Sequence, residues 1–278
     1  MMAKPWKDSV VVVTGASSGI GRELARQMAP EAKAMALVAR RAARLEALAA
    51  ELRSAHPRLE VLVRPTDLTD LGECGAMLDD VVAAHGRVGV LVNNAGFGDV
   101  GAFDKAGWEK LERMIALNVT ALTYLAHRVY PSMVSMGGGG ILNISSGFGL
   151  EFLPSFATYV GTKHYVSGLS ECLRSEAQRL GVTVTQVCPG PVDTEFEAVT
   201  GNFTGDSPPS LIRIDAATCA RSALRGFARG RAMVVPGFVH RLLIWSGALT
   251  PRWFKRLIFR PIAAWFRKRE LSAALRDA

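Results

Sequence analysis

One stretch near the start of this chain narrows its fold more than any other. The β-branched run Ser9-Val10-Val11-Val12-Val13-Thr14 leads directly into Gly15-Ala16-Ser17-Ser18-Gly19-Ile20-Gly21. Arg22–Ala29 then reads as a helix, ended by Pro30. Strand, glycine-rich turn and helix N-terminus in this order form a cradle for a pyrophosphate. Gly15 permits the tight turn, Gly19 lets the backbone approach the phosphates, and Gly21 lets the helix pack closely on the strand. The free N–H groups of Ser17, Ser18, Gly19 and Ile20 and the helix dipole face the anion. The spacing is GxxxGxG, not the GxGxxG of the general dinucleotide fingerprint. Further apolar strand segments recur around residues 34–39, 61–63, 88–92, 141–145, 182–187 and 232–235. Helical stretches separate them, among them Arg41–Arg53, Asp70–His85, Trp108–Met136 and Thr158–Leu180. Such alternation implies an α/β fold of Rossmann type, a single-domain doubly wound parallel sheet with helices on both faces.

Chemistry enters at Ala157-Thr158-Tyr159-Val160-Gly161-Thr162-Lys163, with Ser145-Ser146 just upstream. Positions i and i+4 of a helix share a face, so the phenol of Tyr159 and the ammonium of Lys163 point into one pocket. A phenol with a pKa near 10 is too weak an acid to exchange protons usefully at neutral pH. A cation held beside it favours the phenolate, which is expected to lower that pKa and make Tyr159 a usable acid/base.

Both motifs, at these distances, resemble the short-chain dehydrogenase/reductase family, and the resemblance covers roughly residues 7–236. Each further agreement is carried by its own residues. Asn93-Asn94-Ala95-Gly96 resembles the family's NNAG segment beside the adenine ring and the central sheet. Asp67, in Thr66-Asp67-Leu68, matches the aspartate that meets the adenine amino group, with Leu68 in the same cofactor-binding segment. Asn118 matches the asparagine that kinks the long central helix and holds a proton-relay water. Ser146 lies thirteen residues before Tyr159, the family's usual offset for its catalytic serine, and is preferred to Ser145. Pro189-Gly190-Pro191-Val192-Asp193-Thr194 matches the PG motif, in which Val192 and Thr194 hold the nicotinamide carboxamide. The resemblance thus implies a catalytic tetrad of Asn118, Ser146, Tyr159 and Lys163. It also implies cofactor contacts from Gly15–Gly21, Asn94, Ala95, Gly96, Tyr159, Lys163, Pro189 and Gly190. In that scheme Lys163 also bonds the nicotinamide ribose. Hydride passes between nicotinamide and a carbonyl or alcohol carbon while Tyr159 moves the proton on oxygen.

The end of the second strand bears on which dinucleotide is used. It reads Leu37-Val38-Ala39-Arg40-Arg41, with no Asp or Glu where the ribose of NAD requires one. Arg40 offers a planar, permanently charged fork suited to a 2′-phosphate, with Arg41 or Ser17 assisting. NADP(H) is therefore the expected cofactor, and reduction the expected cellular direction.

The resemblance implies that the substrate is held by the segment after the PG motif and by the C-terminus, here roughly 195–213 and 237–278. In the first, the expected lid, Phe196, Phe203, Leu211 and Ile212 are apolar and Asn202, Gly205 and Pro208-Pro209 suggest mobility. Phe148, Leu150, Phe152 and Leu153 are expected to face the same pocket. This lining favours a hydrophobic ketone or aldehyde over a sugar, although ordinary core or subunit contacts would have the same composition. The alternative reading is a non-catalytic module, binding NADP or bridging to a membrane on a reductase scaffold. The presence of all four tetrad residues weighs against it.

The last forty residues depart from the family's pattern and are read as an extension, 237–278, after a reductase domain at 1–236. From Arg241 to Ala278 nine Arg and Lys face two acids, so the tail holds +7 of the formal net charge of +8. Trp253, Phe254, Leu257, Ile258, Phe259, Ile262, Trp265 and Phe266 lie among those cations. At about 100° per residue most of them cluster on one side. Phe259, Phe266 and Lys268 break the pattern, and Pro261 is expected to divide the stretch into two short helices. The uncharged run Leu242–Pro251 is far short of the ~20 residues needed to span a bilayer. Two readings stand: a tail lying on an anionic membrane surface, or one packed on a neighbouring subunit.

Charge so concentrated in one aromatic-rich tail is a poor phosphate-tracking stripe, which argues against nucleic acid despite the pI near 9.6. Four cysteines without paired spacing and five scattered histidines point to no metal site. Met1–Lys7 runs straight into the first strand with no visible signal peptide, so a cytoplasmic location is expected, with peripheral membrane association under the first reading of the tail. Helices Trp108–Met136 and Thr158–Leu180 correspond to the pair through which the family forms homodimers and homotetramers. Leu117, Ala121, Leu125, Val166, Leu169 and Leu173 supply apolar spacing for that contact or for covering the sheet.

Overall fold

The structure, a computed structural model, describes residues 4–196, 200–201 and 209–274, with side chains described up to Glu270. Seven strands form one parallel sheet in the order β3-β2-β1-β4-β5-β6-β9. They are β1 (Val10–Thr14), β2 (Ala34–Ala39), β3 (Glu60–Pro65), β4 (Val90–Asn93), β5 (Gly139–Ile144), β6 (Val182–Val187) and β9 (Met233–Val234). Two-residue strands β7 (Val192–Asp193) and β8 (Ile214–Asp215) pair with each other beyond the sheet.

Helices cross over between the strands: α1 (Gly19–Met28), α2 (Ala42–Ala55), α3 (Leu71–His85), α4 (Trp108–Ile115), α5 (Leu122–Ser135), α6 (Ala157–Ala177) and α7 (Ala216–Ala228). Both faces of the sheet are covered, which is why its strands are continuous apolar runs rather than alternating ones. Val11 and Val13 join Leu24, Leu45 and Phe227 in one core, while Val10 and Val12 join Leu78, Leu125 and Val129 in the other. Strand order reverses between β1, which pairs with β2, and β4 on its other side. Ligands of doubly wound sheets bind outside the carboxyl ends of the strands at such a switch point.

Two sequence expectations change here, and one that stood open between two readings is narrowed. The helix expected over Trp108–Met136 is α4 and α5 separated by a π-helical segment, Ala116–Ala121, that contains Asn118. The tail forms α8 (Phe238–Leu249) and α9 (Arg252–Ala274), and Pro261 lies inside α9 without dividing it. Proline removes one intrahelical hydrogen bond, but α9 is held on both sides of Pro261, by Phe259 on Phe152 and by Phe266 on Phe156. Finally, Ala121, Leu125 and Val166 are buried within the chain itself. Those three cover the sheet and leave no side chain for a subunit contact.

Candidate active site

The glycine loop is built as a cradle. Gly15 and Gly19 have φ of +66° and +54°, a region that favours glycine. A Cβ on Gly21 would stand 2.4 Å from the Asn94 amide nitrogen, and one on Gly19 would stand 2.9 Å from the Thr194 methyl. Ser18 caps α1 without a side-chain hydrogen bond, and the first turn holds no acid. The N–H groups and positive dipole end of α1 therefore remain available to an anion. The Asn94 amide donates to the carbonyls of Thr14 (2.9 Å) and Gly15 (3.3 Å), so it props the loop from behind. Thr14 Oγ1, which sequence reasoning passed over, accepts from the N–H groups of Asn94 and Ala95 and donates to Val92 O, tying β1 to β4.

Both arginines follow β2 beside this cradle. Arg41 donates to Ser17 Oγ (3.0 Å) and Ser18 Oγ (2.7 Å). Its other arm bonds Glu195 at 2.6 Å, and Arg44 also pairs with that carboxylate. Hydrogen bonds from Arg41 and then Arg44 hold the Glu195 carboxyl down to about 2. Arg40 is exposed just past the end of β2. Asp67 accepts from the N–H and hydroxyl of Thr69, and Leu68 is buried beside it. An open helix N-terminus and glycine positions with no room for a Cβ fit the pyrophosphate of a dinucleotide.

Tyr159, Lys163, Ser146 and Asn118 are all buried, and they converge below the ends of β4 and β5. Lys163 donates to Ile144 O at 2.9 Å and lies 5.8 Å from the centre of the Tyr159 ring. The two serines divide their tasks. Ser145 is spent on Lys163 O (3.1 Å) and Ser167 Oγ (2.9 Å), joining β5 to α6. Ser146 caps the short turn Gly147–Gly149 by accepting from Phe148 N. The π-helical segment turns Asn118 inward, where it accepts from Phe97 N and donates to Phe97 O and Thr162 Oγ1. Gly96 passes so close that a Cβ there would meet Asn118 Oδ1 at 2.9 Å and Lys163 Nζ at 3.5 Å. Behind the site, Asn93 bonds Asn143, and Asn143 bonds Ser170, a buried amide ladder that the sequence did not single out.

The electrostatics differ from the sequence expectation. Burial pushes the Tyr159 hydroxyl up to about 12, with Ser146 pulling the other way. Burial likewise brings Lys163 down to about 8. Loss of solvent is the largest influence on each group and disfavours the charged form of both. Tyr159 is therefore held protonated at neutral pH.

Around the phenol is an aromatic wall. Phe148 meets Tyr159 edge-on at 6.2 Å, and Phe196 packs on the same ring at 5.6 Å. Leu111, Met114, Phe97 and Phe156 complete the cluster. Phe97 and Phe156 were missed, although each sits beside a motif, after Gly96 and three residues before Tyr159. Phe152 instead faces Phe259 at 5.2 Å, and Leu211 points outward, 74% exposed. Leu150 and Leu153 are half-buried. Asn202, Phe203, Gly205 and Pro208 of the expected lid lie outside the described residues.

The inner face of the tail lies on its own chain, beside the site, where the family resemblance led the C-terminal segment to be expected. Lys255 of α9 bonds Glu151 at 2.7 Å, with both side chains largely buried. Phe266 meets Phe156 edge-on at 6.4 Å, and Phe156 touches Phe148, so a row of rings runs from α9 to Tyr159. Arg267 pairs with Asp104, and the Glu270 carboxylate accepts from Ala102 N. On α8, His240 is lodged against the backbone of the site: a Cβ on Gly147 or Gly190 would stand 2.7 Å from its ring. Gly147 N in turn donates to Pro189 O at 2.8 Å, joining the serine turn to the PG segment. Val192 lies in β7 and is buried, while Thr194 rests on the glycine loop. Among the described residues no group of three His, Cys, Asp or Glu stands where it could hold a metal ion, and no helix is long and apolar enough to cross a membrane.

This arrangement agrees with what the chain resembles. The family model for short chain dehydrogenases matches residues 9–203. The chain belongs to the short-chain dehydrogenase family and is an oxidoreductase of that family. Dehydrogenase/reductase SDR family member 7 of Homo sapiens is 32% identical over 229 residues, which cover 80% of this chain and 68% of that protein. A short-chain dehydrogenase from Sphingobium yanoikuyae, solved in complex with NADPH, is 36% identical with a TM-score of 0.75, covering 86% of this chain and 93% of its own. The bulky-bulky ketone specific alcohol dehydrogenase from Comamonas testosteroni is 30% identical with a TM-score of 0.72, covering 86% and 91%.

Proposed function

We propose that this oxidoreductase uses NADPH to reduce a hydrophobic ketone or aldehyde to the alcohol. The observation that carries the reading is the position of Tyr159, whose protonated phenol stands beside Ser146 and against both Phe148 and Phe196. When bound, the dinucleotide supplies the hydride. The glycine loop and the N-terminus of α1 hold its pyrophosphate, and Arg40 with Arg41 meets the 2′-phosphate. Arg41 is pre-set for this by Ser17 and Ser18.

Ser146 Oγ donates to the carbonyl oxygen and fixes its direction. Tyr159 gives its proton to that same oxygen, and the 12-like affinity for that proton makes the protonated form the resting one. Lys163, close over the ring, stabilises the phenolate left behind and bonds the cofactor ribose. Asn118 holds the strand-end segment at Gly96 against Lys163 and leaves a lone pair of its carbonyl for a relay water. The wall of Phe97, Phe148, Phe156 and Phe196 excludes water and favours an apolar substrate. The solved neighbours bound to NADPH and specific for bulky ketones support both halves of the reading.

We also assign self-association to the outer face of α6. Gly161 and Gly168 have open space where a Cβ would stand, and Tyr165 between them is 42% exposed, a surface that admits close approach of a second helix.

The deciding experiment mixes purified protein and NADPH with a panel of apolar ketones and aldehydes and follows loss of NADPH absorbance. Turnover is expected with bulky apolar carbonyls. Tyr159→Phe should abolish it, losing more than about tenfold in kcat while the NADPH Kd stays within about twofold. NADPH binding without turnover of any carbonyl would instead favour the non-catalytic module.

A further inference from the structure

The tail has a second face that the active site does not use. On α9 the side chains turned toward the domain are Lys255, Phe259, Phe266 and Glu270, spaced by about one, two and one turns. On the opposite side Trp253, Leu257, Ile258 and Trp265 are exposed by 67, 55, 45 and 44%. Helix α8 repeats the design. Ile244 is buried, while Phe238, Leu242, Trp245 and Leu249, at i, i+4, i+7 and i+11, are 71, 49, 63 and 87% exposed. Two adjoining helices thus present long apolar stripes to the outside, each with its inward face already satisfied by the domain. Isolated exposed apolar residues need no explanation, but large apolar stripes on two successive helices do.

Charge decides what covers it. From Ala216 to Arg269 the sequence holds no acidic residue. Arg256 and Arg260 are exposed along one flank of the α9 stripe, and Arg269 lies over the Trp265 ring at 4.9 Å on the other. A second copy of the chain docking through this patch would place the same basic flanks opposite each other, which a two-fold contact penalises. An anionic lipid surface meets both demands: headgroups for the cations, and an acyl boundary for Trp and Leu.

We propose that the outer faces of α8 and α9 dock on an anionic lipid surface, while their inner faces form one wall of the substrate cleft. The tail is then both wall and anchor, and docking sets the aromatic row from Phe266 to Tyr159 directly above the lipid. Docking is read without turnover, so its failure and failure of the reductase reading are separate results.

The test is cosedimentation of the full chain with vesicles of phosphatidylglycerol and phosphatidylcholine, and with phosphatidylcholine alone. Binding to the first is expected to exceed the second by at least about tenfold at low salt, and to fall in part at high salt. Trp245→Ser/Leu249→Ser and Arg256→Glu/Arg260→Glu should each weaken binding about tenfold or more, while NADPH affinity and thermal midpoint stay unchanged because these side chains are exposed. Arg221→Glu, an exposed charge on α7, is the control and should cause little loss. The proposal fails if the full chain ignores anionic vesicles, or if Arg221→Glu weakens binding as much as the α9 pair. It fails equally if Trp245→Ser/Leu249→Ser halves the mass in light scattering while vesicles bind nothing, since a second copy then covers the stripe.

Discussion

Lys163→Met isolates what the proposed site sacrifices in stability to hold its ammonium. Lys163 is 5% exposed, and its one hydrogen bond among the described residues runs to Ile144 O at 2.9 Å. Its proton affinity falls from the ordinary 10.5 to about 8 because burial disfavours the charge. At about 1.4 kcal/mol for each tenfold change in affinity, that fall corresponds to about 3 kcal/mol of destabilisation below pH 8. Methionine fills nearly the same space without charge, and loses one hydrogen bond of about 1 kcal/mol. The ligand-free variant should therefore be more stable than wild type by about 2 kcal/mol at pH 7, or about 4–8 °C in thermal midpoint. The sign follows from the depressed pKa. The unfolded chain binds more protons than the folded one between about 8 and about 10.4, so wild-type stability rises with pH across that window. Above it the charge is absent from both states, and the variant should become the less stable by about 1 kcal/mol. Burial raises the proton affinity of Tyr159, so its contribution changes only above about pH 10, and below that the difference between the two proteins reports Lys163. Differential scanning calorimetry of both proteins at pH 7, 8, 9 and 10 provides the data, and activity should be lost throughout. A variant less stable at pH 7, or a gap that does not change with pH, would refute the reasoning.

Three other expectations follow from the same geometry. Arg40→Asp should turn coenzyme preference toward NADH, costing about 1.5–3 kcal/mol, or ten- to a hundred-fold, in NADPH affinity; a wild type that already uses NADH equally well would contradict it. Phe259→Ala/Phe266→Ala should loosen α9 over the cleft, raising KM for bulky apolar ketones about tenfold with NADPH Kd unchanged; an unaltered KM would mean that α9 does not bound the pocket. Gly168→Glu, placed where a Cβ meets open space, should split a dimer seen by light scattering at micromolar concentration without lowering the monomer's stability by more than about 0.5 kcal/mol; a wild type that is already monomeric would remove the α6 contact.

Legibility tracked how local each constraint is. The glycine loop could be read because a short stretch carries the whole requirement: Gly15 and Gly19 need φ above zero, and Gly21 has no room for a Cβ. The shared face of Tyr159 and Lys163 came from helical period alone, and the convergence of Ser146 and Asn118 on it came from the family resemblance. The π-helical turn at Ala116–Ala121 was not legible from periodicity, because six residues are too short a window to separate a wider turn from an α-helical one. The direction of the Tyr159 pKa was misjudged for a different reason: spacing brings a cation near, but only the fold shows both groups deprived of solvent. The tail is the most instructive case. Its period placed most apolar residues on one side and left Phe259 and Phe266 as exceptions. Those exceptions are the side chains that face the domain, on Phe152 and Phe156. A helix with two apolar faces has no single moment to read, so the residues that spoil the periodicity were marking the second contact surface.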